Sequence, residues 1–259
     1  MARTVEEIRS EGVQLAGGPR AILLQIAHPA VGRGVAEHST FAERPLERLE
    51  ATLTYVYAAA HGTEAQIAEV RRRVNRAHAR VRGAESGDGR APAYSAYDPA
   101  LQLWVAATLY QTAVTVEEAI FGPLDEATAE LLYQRYAALG TVLQMPSGLW
   151  PCDRAAFGAY WDTQLETLKV SDEARSVAHD LLHPAAGPLW LRLAMPTARL
   201  LTTGLLPQPL REQFGLPFGP ARARRYHRLL RATAAVYPRL PRRLRFGLKN
   251  HYLRRLQPT

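Results

Sequence analysis

The chain has 259 residues, of which 47% are apolar and 22% charged, the composition of a globular protein that can bury a sizeable core. Its single cysteine, Cys152, excludes an internal disulfide framework and any zinc or iron–sulfur site that needs several cysteines. The net charge is +8 and unevenly placed, because no Asp or Glu follows Glu212.

Helical periodicity predominates along the chain, and the alternation typical of strands is nearly absent. The N-terminus lacks the apolar core of a signal peptide, and the early apolar run 21–27 is too short to span a bilayer, so we expect a cytoplasmic protein. Thr63 with Gln66 forms a capping-box pattern, and Asp98 before Pro99 marks another helix start. The predicted helices cover residues 4–16, 21–27, 45–60, 63–81, 98–121, 125–139, 153–168, 172–182, 189–203, 220–235 and 239–255.

The last two predicted helices form a basic segment at about 220–255. Such a segment is commonly a solvated helix face, and the alternatives are contact with an anionic membrane surface or with nucleic acid. No nucleic-acid-binding motif and few interleaved aromatic residues accompany the charge. We therefore expect no nucleic-acid partner and retain a peripheral contact with an anionic membrane.

A histidine lies on the apolar stripe of the predicted helix 63–81. Ile67, Val70 and Val74 share that face with His78, whereas arginines occupy the other faces. An inward histidine is commonly a core residue that is hydrogen-bonded to a carbonyl group. The alternative is a ligand of a buried cofactor.

Arg48 and Thr52, one turn apart on the preceding predicted helix, begin a stripe of hydrogen-bonding side chains. In one interpretation the stripe lies at the surface, where Arg48 pairs with Glu47 or Glu50 and Thr52 bonds its own helix. In the other it is a buried polar lining, in which Arg48 donates hydrogen bonds to a ligand.

Several segments resemble the rubber oxygenase (latex-clearing protein)/MpaB-type oxygenase family. That family's core contains an Arg-x-x-x-Thr helix and a later helix with a histidine in a His-Ala-x-Val-Arg-like setting. This chain has Arg-Leu-Glu-Ala-Thr at 48–52 and His-Ala-Arg-Val-Arg at 78–82. Further matching segments are His-Pro-Ala-Val at 28–31, Gly-Val-Ala-Glu-His-Ser-Thr-Phe at 34–41, Tyr-Asp-Pro-Ala-Leu-Gln-Leu-Trp-Val at 97–105 and Thr-Thr-Gly-Leu-Leu-Pro at 202–207.

The resemblance implies an all-α domain that encloses haem b and uses O2 on an apolar substrate. Carried over residue by residue, it makes His78 the axial iron ligand, Arg48 a distal hydrogen-bond donor and Thr52 part of the distal pocket. His28 and His38 would line the cavity or hold a haem propionate; the alternative for both is a histidine bonded to backbone at a turn. A neutral imidazole suits iron, and a fixed cation stabilises the charge that develops on O2.

Two departures from the family pattern bear on the chemistry. The Trp-Val-His-Ala-Thr segment of the family is Trp-Val-Ala-Ala-Thr at 104–108, so Ala106 stands where a histidine is often seen. The glutamate that rubber oxygenases use as a base is not matched, and Glu37, Glu43 and Glu47 are the candidates. We therefore expect a small apolar substrate of isoprenoid type and not polyisoprene.

We predict one all-α domain over residues 1–259, with globin-like helix packing, that is a haem b-dependent oxygenase acting on a C=C bond. The alternatives are a helical protein that binds haem or a lipid without turnover, and a helical bundle without a cofactor. The chain contains no GxSxG, P-loop, HExxH or CxxC motif, so the enzyme classes that carry those motifs have no support.

Overall fold

Almost all regular structure of the chain is α-helical, which confirms the predicted fold class. The computed structural model describes residues 3–38, 45–87, 92–184 and 188–256. Within those ranges a small antiparallel hairpin joins β1 (Arg82–Gly83) to β2 (Tyr94–Ser95). The helices are α1 (Val5–Ser10), α2 (Gly18–Ala27), α3 (Pro29–His38), α4 (Pro45–His61), α5 (Glu64–His78), α6 (Pro99–Phe121), α7 (Glu126–Tyr136), α8 (Ala138–Thr141), α9 (Arg154–Thr167), α10 (Asp172–Leu182), α11 (Leu189–Leu205), α12 (Gln208–Gln213), α13 (Pro220–Val236), α14 (Arg242–Arg245) and α15 (Gly247–Arg255). Short 3₁₀ turns cover Gly12–Gly17, Ser147–Leu149 and Tyr237–Arg239.

Two helix starts that were predicted from capping signals are confirmed. The Thr63 hydroxyl accepts a hydrogen bond from the Gln66 backbone N–H, and the Gln66 side chain accepts one from the Thr63 N–H at 2.9 Å. Asp98 accepts a hydrogen bond from the Ala100 N–H at 2.8 Å, and Pro99 is the first residue of α6. These caps satisfy N–H groups that the helix leaves unpaired, so both starts are set locally.

The end of α5 was predicted at Val81 and lies at His78, so that boundary is wrong. The Val81 N–H donates to the His78 carbonyl oxygen at 2.9 Å, and the chain then enters β1. A side chain at Gly83 would meet the ring of Tyr94 at 2.5 Å. A β-hairpin thus follows α5, and in it the ring of Tyr94 packs against Gly83.

The sequence pattern does not predict α3, because a proline and two glycines are typical of a loop. In the fold both glycines permit close contacts. An added Cβ at Gly32 would lie 2.4 Å from the Ile26 carbonyl oxygen, and one at Gly34 would lie 3.1 Å from the ring of Tyr94. Packing against α2 and β2 thus stabilises this helix.

The predicted helices 4–16, 125–139 and 239–255 are each interrupted. In the last of these, Leu240 is extended, with ψ at 144°. Proline disfavours the helical conformation in the residue before it, and Pro241 follows Leu240. The basic segment is therefore a series of shorter helices.

The core is centred on α6, whose inward face carries two large aromatic residues. Trp104 stacks on Trp161 of α9 with ring centroids 5.3 Å apart, and Tyr110 meets Phe157 edge-on at 4.9 Å. Aromatic pairs of this kind contribute about 0.5–1.5 kcal/mol each beyond their buried area. No helix within the described ranges is long and apolar enough to cross a membrane.

A smaller cluster joins the C-terminal helices to α6. It consists of Val116 from α6, Leu205 from α11 and Tyr226 from α13. Because these helices share α6 as a platform with the main core, the chain forms one helical domain.

Charged side chains tie the two ends of the described chain together. Arg3 donates to Glu11 Oε1 at 2.9 Å and to Glu117 Oε1 at 2.5 Å. Arg245 Nη1 lies 2.9 Å from Glu11 Oε1, and the Tyr237 hydroxyl donates to Glu11 Oε2 at 3.0 Å. Both carboxylates are fully buried, so the two arginines offset charges that have lost their water.

Candidate functional site

The hairpin formed by α4 and α5 places Arg48 and His78 at the same end. A two-residue turn at 62–63 separates the helices, which pack against each other. Arg48 lies 13 residues before the last residue of α4, and His78 lies 14 residues after the first residue of α5. With a rise of about 1.5 Å per residue, both lie about 20 Å from the turn. The hairpin therefore brings a guanidinium and an imidazole together.

The imidazole of His78 is partly buried and neutral. Its Nδ1 is buried and has no hydrogen-bond partner among the described residues. Burial lowers the pKa of His78, and the positive charge of Arg48 lowers it further. A buried polar atom without a partner costs about 1–3 kcal/mol, which a ligand on that nitrogen would recover. A neutral imidazole of this kind is suited to binding a metal.

The polar stripe on α4 is not buried along its whole length. Arg48 is partly buried, and burial lowers the pKa of its guanidinium, which stays charged because arginine ionises so strongly. Thr52 is exposed, and its hydroxyl donates to the Arg48 carbonyl oxygen at 2.9 Å. For Thr52 the structure therefore matches the interpretation in which the stripe lies at the surface and the hydroxyl bonds its own helix. Glu50, which was considered as a surface partner of Arg48, pairs with Arg255.

His28 lies at the C-terminal end of α2. Its Nδ1 is buried and lacks a hydrogen-bond partner within the described ranges. Burial lowers the pKa of His28, and the charge of Asp98 acts in the opposite direction. Tyr97 directly precedes Asp98, and its hydroxyl donates to the carbonyl oxygen of Asn75 at 2.7 Å. Asn75 lies one turn before His78 on α5. The start of α6 thus connects the surroundings of His28 to the end of α5.

A network of side-chain amides supports the last turn of α5, and the sequence analysis missed it. Gln102 Nε2 donates to Gln144 Oε1 at 2.6 Å, and Gln144 Nε2 donates to Asn75 Oδ1 at 2.8 Å. Gln102 is buried two residues before Trp104 in the most apolar part of α6. A buried amide must find partners, and this polar residue among apolar ones was the available signal.

His38 belongs to a different cluster, at the end of α3. It is exposed, and its Nε2 lies 2.8 Å from the Tyr94 hydroxyl. That hydroxyl donates to Glu37 Oε2 at 2.5 Å, so the Nε2–H of His38 is the donor to Tyr94. Arg33 donates to Glu37 Oε1 at 2.7 Å. His38 therefore interacts with the β-hairpin, and its predicted role at a haem stays a prediction.

The comparison with known families decides what kind of protein carries this arrangement. Residues 6–236 match the family described as "ER-bound oxygenase mpaB/B'/Rubber oxygenase, catalytic domain". The chain belongs to this family. The match includes α4, α5 and α6, and with them Arg48 and His78. The resemblance seen in the sequence is confirmed.

Two relatives of this MpaB/rubber oxygenase family member are uncharacterised proteins of Mycobacterium bovis and Mycobacterium tuberculosis. Each is 37% identical over 227 residues, which cover 86% of this chain and 88% of the relative. No solved structure matches the chain. The globin-like helix packing therefore stays a prediction.

The position at which family members often carry a histidine lies in the centre of the core. Ala106 is 1% exposed on the inward side of α6. Two residues further on, the buried Thr108 accepts a hydrogen bond from Gln25 Nε2 at 3.1 Å. An alanine has no group that transfers a proton or binds iron, so position 106 contributes packing alone in this chain.

The three candidate bases differ in their surroundings. The hydrogen bonds from Tyr94 and from Arg33 Nε lower the pKa of Glu37, which makes it a weaker base than an ordinary glutamate. Glu47 is exposed on α4, and Glu43 lies outside the described residues. Of the two that the structure describes, neither is favoured as a proton acceptor.

A small, partly open apolar pocket of about 30 Å³ lies away from these residues. It is lined by side chains of α6, α11 and α13, among them Val116, Leu201 and Leu230. A volume of this size has room for one or two water molecules and not for a haem. No cluster of three or more metal-binding side chains occurs in the part of the chain that the structure describes. An iron held by a porphyrin needs only one axial residue.

Proposed function

We propose that this member of the oxygenase family binds haem b and uses O2 to oxidise or cleave a C=C bond in a small apolar substrate of isoprenoid type. The observation that carries the proposal is the state of His78 in a chain that matches an oxygenase catalytic domain. Burial and the nearby charge of Arg48 lower the pKa of its imidazole and so favour the neutral form, and its Nδ1 is buried without a partner among the described residues.

The residues at this end of the hairpin fit a haem. His78 supplies an unprotonated imidazole, and the amide network through Gln144 and Asn75 holds the turn that carries it. His28 supplies a second partly buried imidazole, whose pKa is lowered by burial although the charge of Asp98 opposes the shift. His78 would bind the haem iron, and His28 would line the cofactor pocket. The distal role of Thr52 stays a prediction.

Haem, when bound, supplies the iron that activates O2. Arg48 would supply a fixed positive charge that stabilises negative charge developing on oxygen, and its partial burial would strengthen that interaction relative to water. Because arginine keeps its proton near neutral pH, Arg48 acts as a hydrogen-bond donor and electrostatic stabiliser and not as an acid.

Cleavage of a C=C bond by both atoms of O2 yields two carbonyl groups and consumes no external electrons. The protein must then bind and orient an apolar chain and exclude water, as apolar pockets with few polar groups do. Such a reaction is consistent with a site that offers one arginine and neutral imidazoles.

The test is a hemin titration of the haem-free full-length protein, followed by the Soret absorbance, for the wild type and for His78→Ala. His61→Ala is the matched control. His61 is also partly buried, its Nε2 also lacks a partner among the described residues, and burial lowers its pKa to about 4. It lies at the opposite end of the α4–α5 hairpin. We expect a strong Soret band in the wild type and in His61→Ala, and its loss in His78→Ala.

Three results would contradict parts of the proposal. A wild type without a Soret band would remove the haem. A His78→Ala variant with wild-type haem content would remove the ligand assignment. A haem-loaded wild type that consumes no O2 with isoprenoid alkenes would indicate a binding protein without turnover.

A further inference from the structure

Large apolar side chains are exposed mainly in two short segments. Of the nine that are exposed in the described ranges, six lie between residues 189 and 244. They are Leu189, Trp190 and Leu193 at the start of α11, and Val236, Leu240 and Leu244 at and after the end of α13. We name these six residues the apolar patch. Leu193 is 71% exposed and Trp190 is 62% exposed, values that a core residue never has.

The packing of α11 on α13 brings the two segments to the same end. Gly204 near the end of α11 faces the ring of Tyr226, which a Cβ would approach to 2.3 Å. Further from that end, Leu201 and Leu230 line the same pocket. A residue nearer the start of α11 thus meets a residue nearer the end of α13, so the two helices are antiparallel. This packing places the start of α11 and the end of α13 at the same end of the helix pair.

This surface belongs to the strongly basic part of the chain. Residues 181–259 contain fifteen arginines and lysines and one carboxylate, Glu212, whereas residues 1–180 carry a net charge of −6. Arg192, Arg239 and Arg243 are exposed within or beside the apolar patch. Apolar side chains surrounded by cations are complementary to a layer that is anionic at its surface and apolar beneath.

We propose that the apolar patch docks the protein on an anionic lipid surface, with Trp190 and Leu193 entering the interface and the surrounding arginines contacting lipid phosphates. Nucleic acid matches the charge but offers no apolar layer for exposed leucines. A second copy of the chain would bring two basic surfaces together, which like-charge repulsion opposes.

The geometry of α11 suits a helix lying in the interface. Leu189, Trp190 and Leu193 occupy one face of its first turns, and Met195, on another face, is buried in the protein. Arg192 is exposed between them. The helix is thus held from within the domain while its outer face is free to enter lipid, and tryptophan prefers the depth at which headgroups meet acyl chains.

The four tryptophans make the test direct. Trp104, Trp150 and Trp161 are each at most 7% exposed, whereas Trp190 is 62% exposed, so Trp190 is the tryptophan whose surroundings a bound lipid surface would change most. We expect vesicles of phosphatidylcholine with phosphatidylglycerol to shift the fluorescence of the full-length protein to shorter wavelength. The shift should be absent in Trp190→Phe and with phosphatidylcholine alone. In sedimentation with vesicles, Trp190→Ser combined with Leu193→Ser should bind at least tenfold more weakly. Leu131→Ser, which changes a leucine that is 49% exposed on α7, should bind as the wild type does.

Several results would overturn the proposal. Wild-type fluorescence that stays unchanged with anionic vesicles is one, and it needs no variant. Equal binding of the double variant is another. A dimer in size-exclusion chromatography that the double variant abolishes would assign the patch to a second copy of the chain. Binding to duplex DNA or RNA without binding to vesicles would assign the charge to nucleic acid. Because these experiments need no haem, their failure is distinct from a failure of the proposed oxygenase.

Discussion

Glu117 is the buried carboxylate with the fewest partners, and replacing it with glutamine should change how stability depends on pH. Glu117 accepts one hydrogen bond, from Arg3, and its Oε2 has no partner within the described ranges. Glu11, by contrast, interacts with Arg3, Arg245 and Tyr237. Glutamine keeps the oxygen that accepts from Arg3 and removes the titration.

The magnitude follows from the pKa of Glu117. Burial raises it from the ordinary 4.5 to about 7, although the charge of Arg3 opposes the rise. At about 1.4 kcal/mol per pKa unit, this rise corresponds to about 3 kcal/mol. The folded protein holds this proton more tightly than the unfolded chain does. The stabilisation of the fold by protonated Glu117 is therefore fully present below pH 4.5 and is lost as the pH rises through 7. Roughly 2–3 kcal/mol of this stabilisation is lost between pH 5 and pH 8.

The assay is urea unfolding at pH 5, 6, 7 and 8, followed by tryptophan fluorescence, for the wild type and Glu117→Gln. The informative quantity is the difference in unfolding free energy between the two proteins. Burial lowers the pKa of His61 to about 4, so His61 makes stability rise with pH, and it does so equally in both proteins. Between pH 5 and pH 8, the unfolding free energy of Glu117→Gln should rise by about 2–3 kcal/mol relative to that of the wild type. For Glu118→Gln, at the exposed neighbouring position, the unfolding free energy relative to the wild type should not change with pH. A difference independent of pH, or an equal slope in Glu118→Gln, would refute the reasoning.

Two further predictions concern the site and the packing. Arg48→Ala should retain haem, because His78 is unchanged, but should slow O2 consumption roughly 100-fold. In the haem-free variant the pKa of His78 should rise, since a nearby cation is lost; an unchanged imidazole titration by NMR would place the two residues apart. Gly204→Ala should destabilise the protein by roughly 1–3 kcal/mol, because the new methyl group meets the ring of Tyr226. Gly158→Ala, in the middle of α9 with free space around it, should instead stabilise by about 0.5–1 kcal/mol, and a thermal melt in which both variants behave alike would contradict this packing.

Part of the candidate site was predictable because it depends on local signals. The capping box at Thr63 and the apolar period of the helices define α4, α5 and the short turn between them. The sequence therefore predicts that Arg48 and His78 lie at the ends of their helices far from the turn. The packing of α4 on α5 then brings the two residues together.

Other features depend on residues distant in the chain. Thr52 is one turn from Arg48, yet whether it is buried depends on what packs beside α4, and nothing covers it among the described residues. Gln102 meets Gln144 across 42 positions, and His38 finds its partner Tyr94 across 56. A periodic pattern assigns a side chain to a face and does not say which neighbour that face meets.

The all-α class and most helix starts are set by the sequence itself, because capping groups and helical periodicity act over one or two turns. Membership in the oxygenase family is likewise carried by the chain, through a match over residues 6–236. The tertiary structure decided where α5 ends, since the chain after His78 pairs as β1 with the distant β2. It also decided which charges are buried: Glu117 and Glu118 are neighbours, and only the first faces Arg3 from inside the protein. Burial is a property of the assembled helices, and with it come the neutral imidazole of His78 and the exposed face of Trp190.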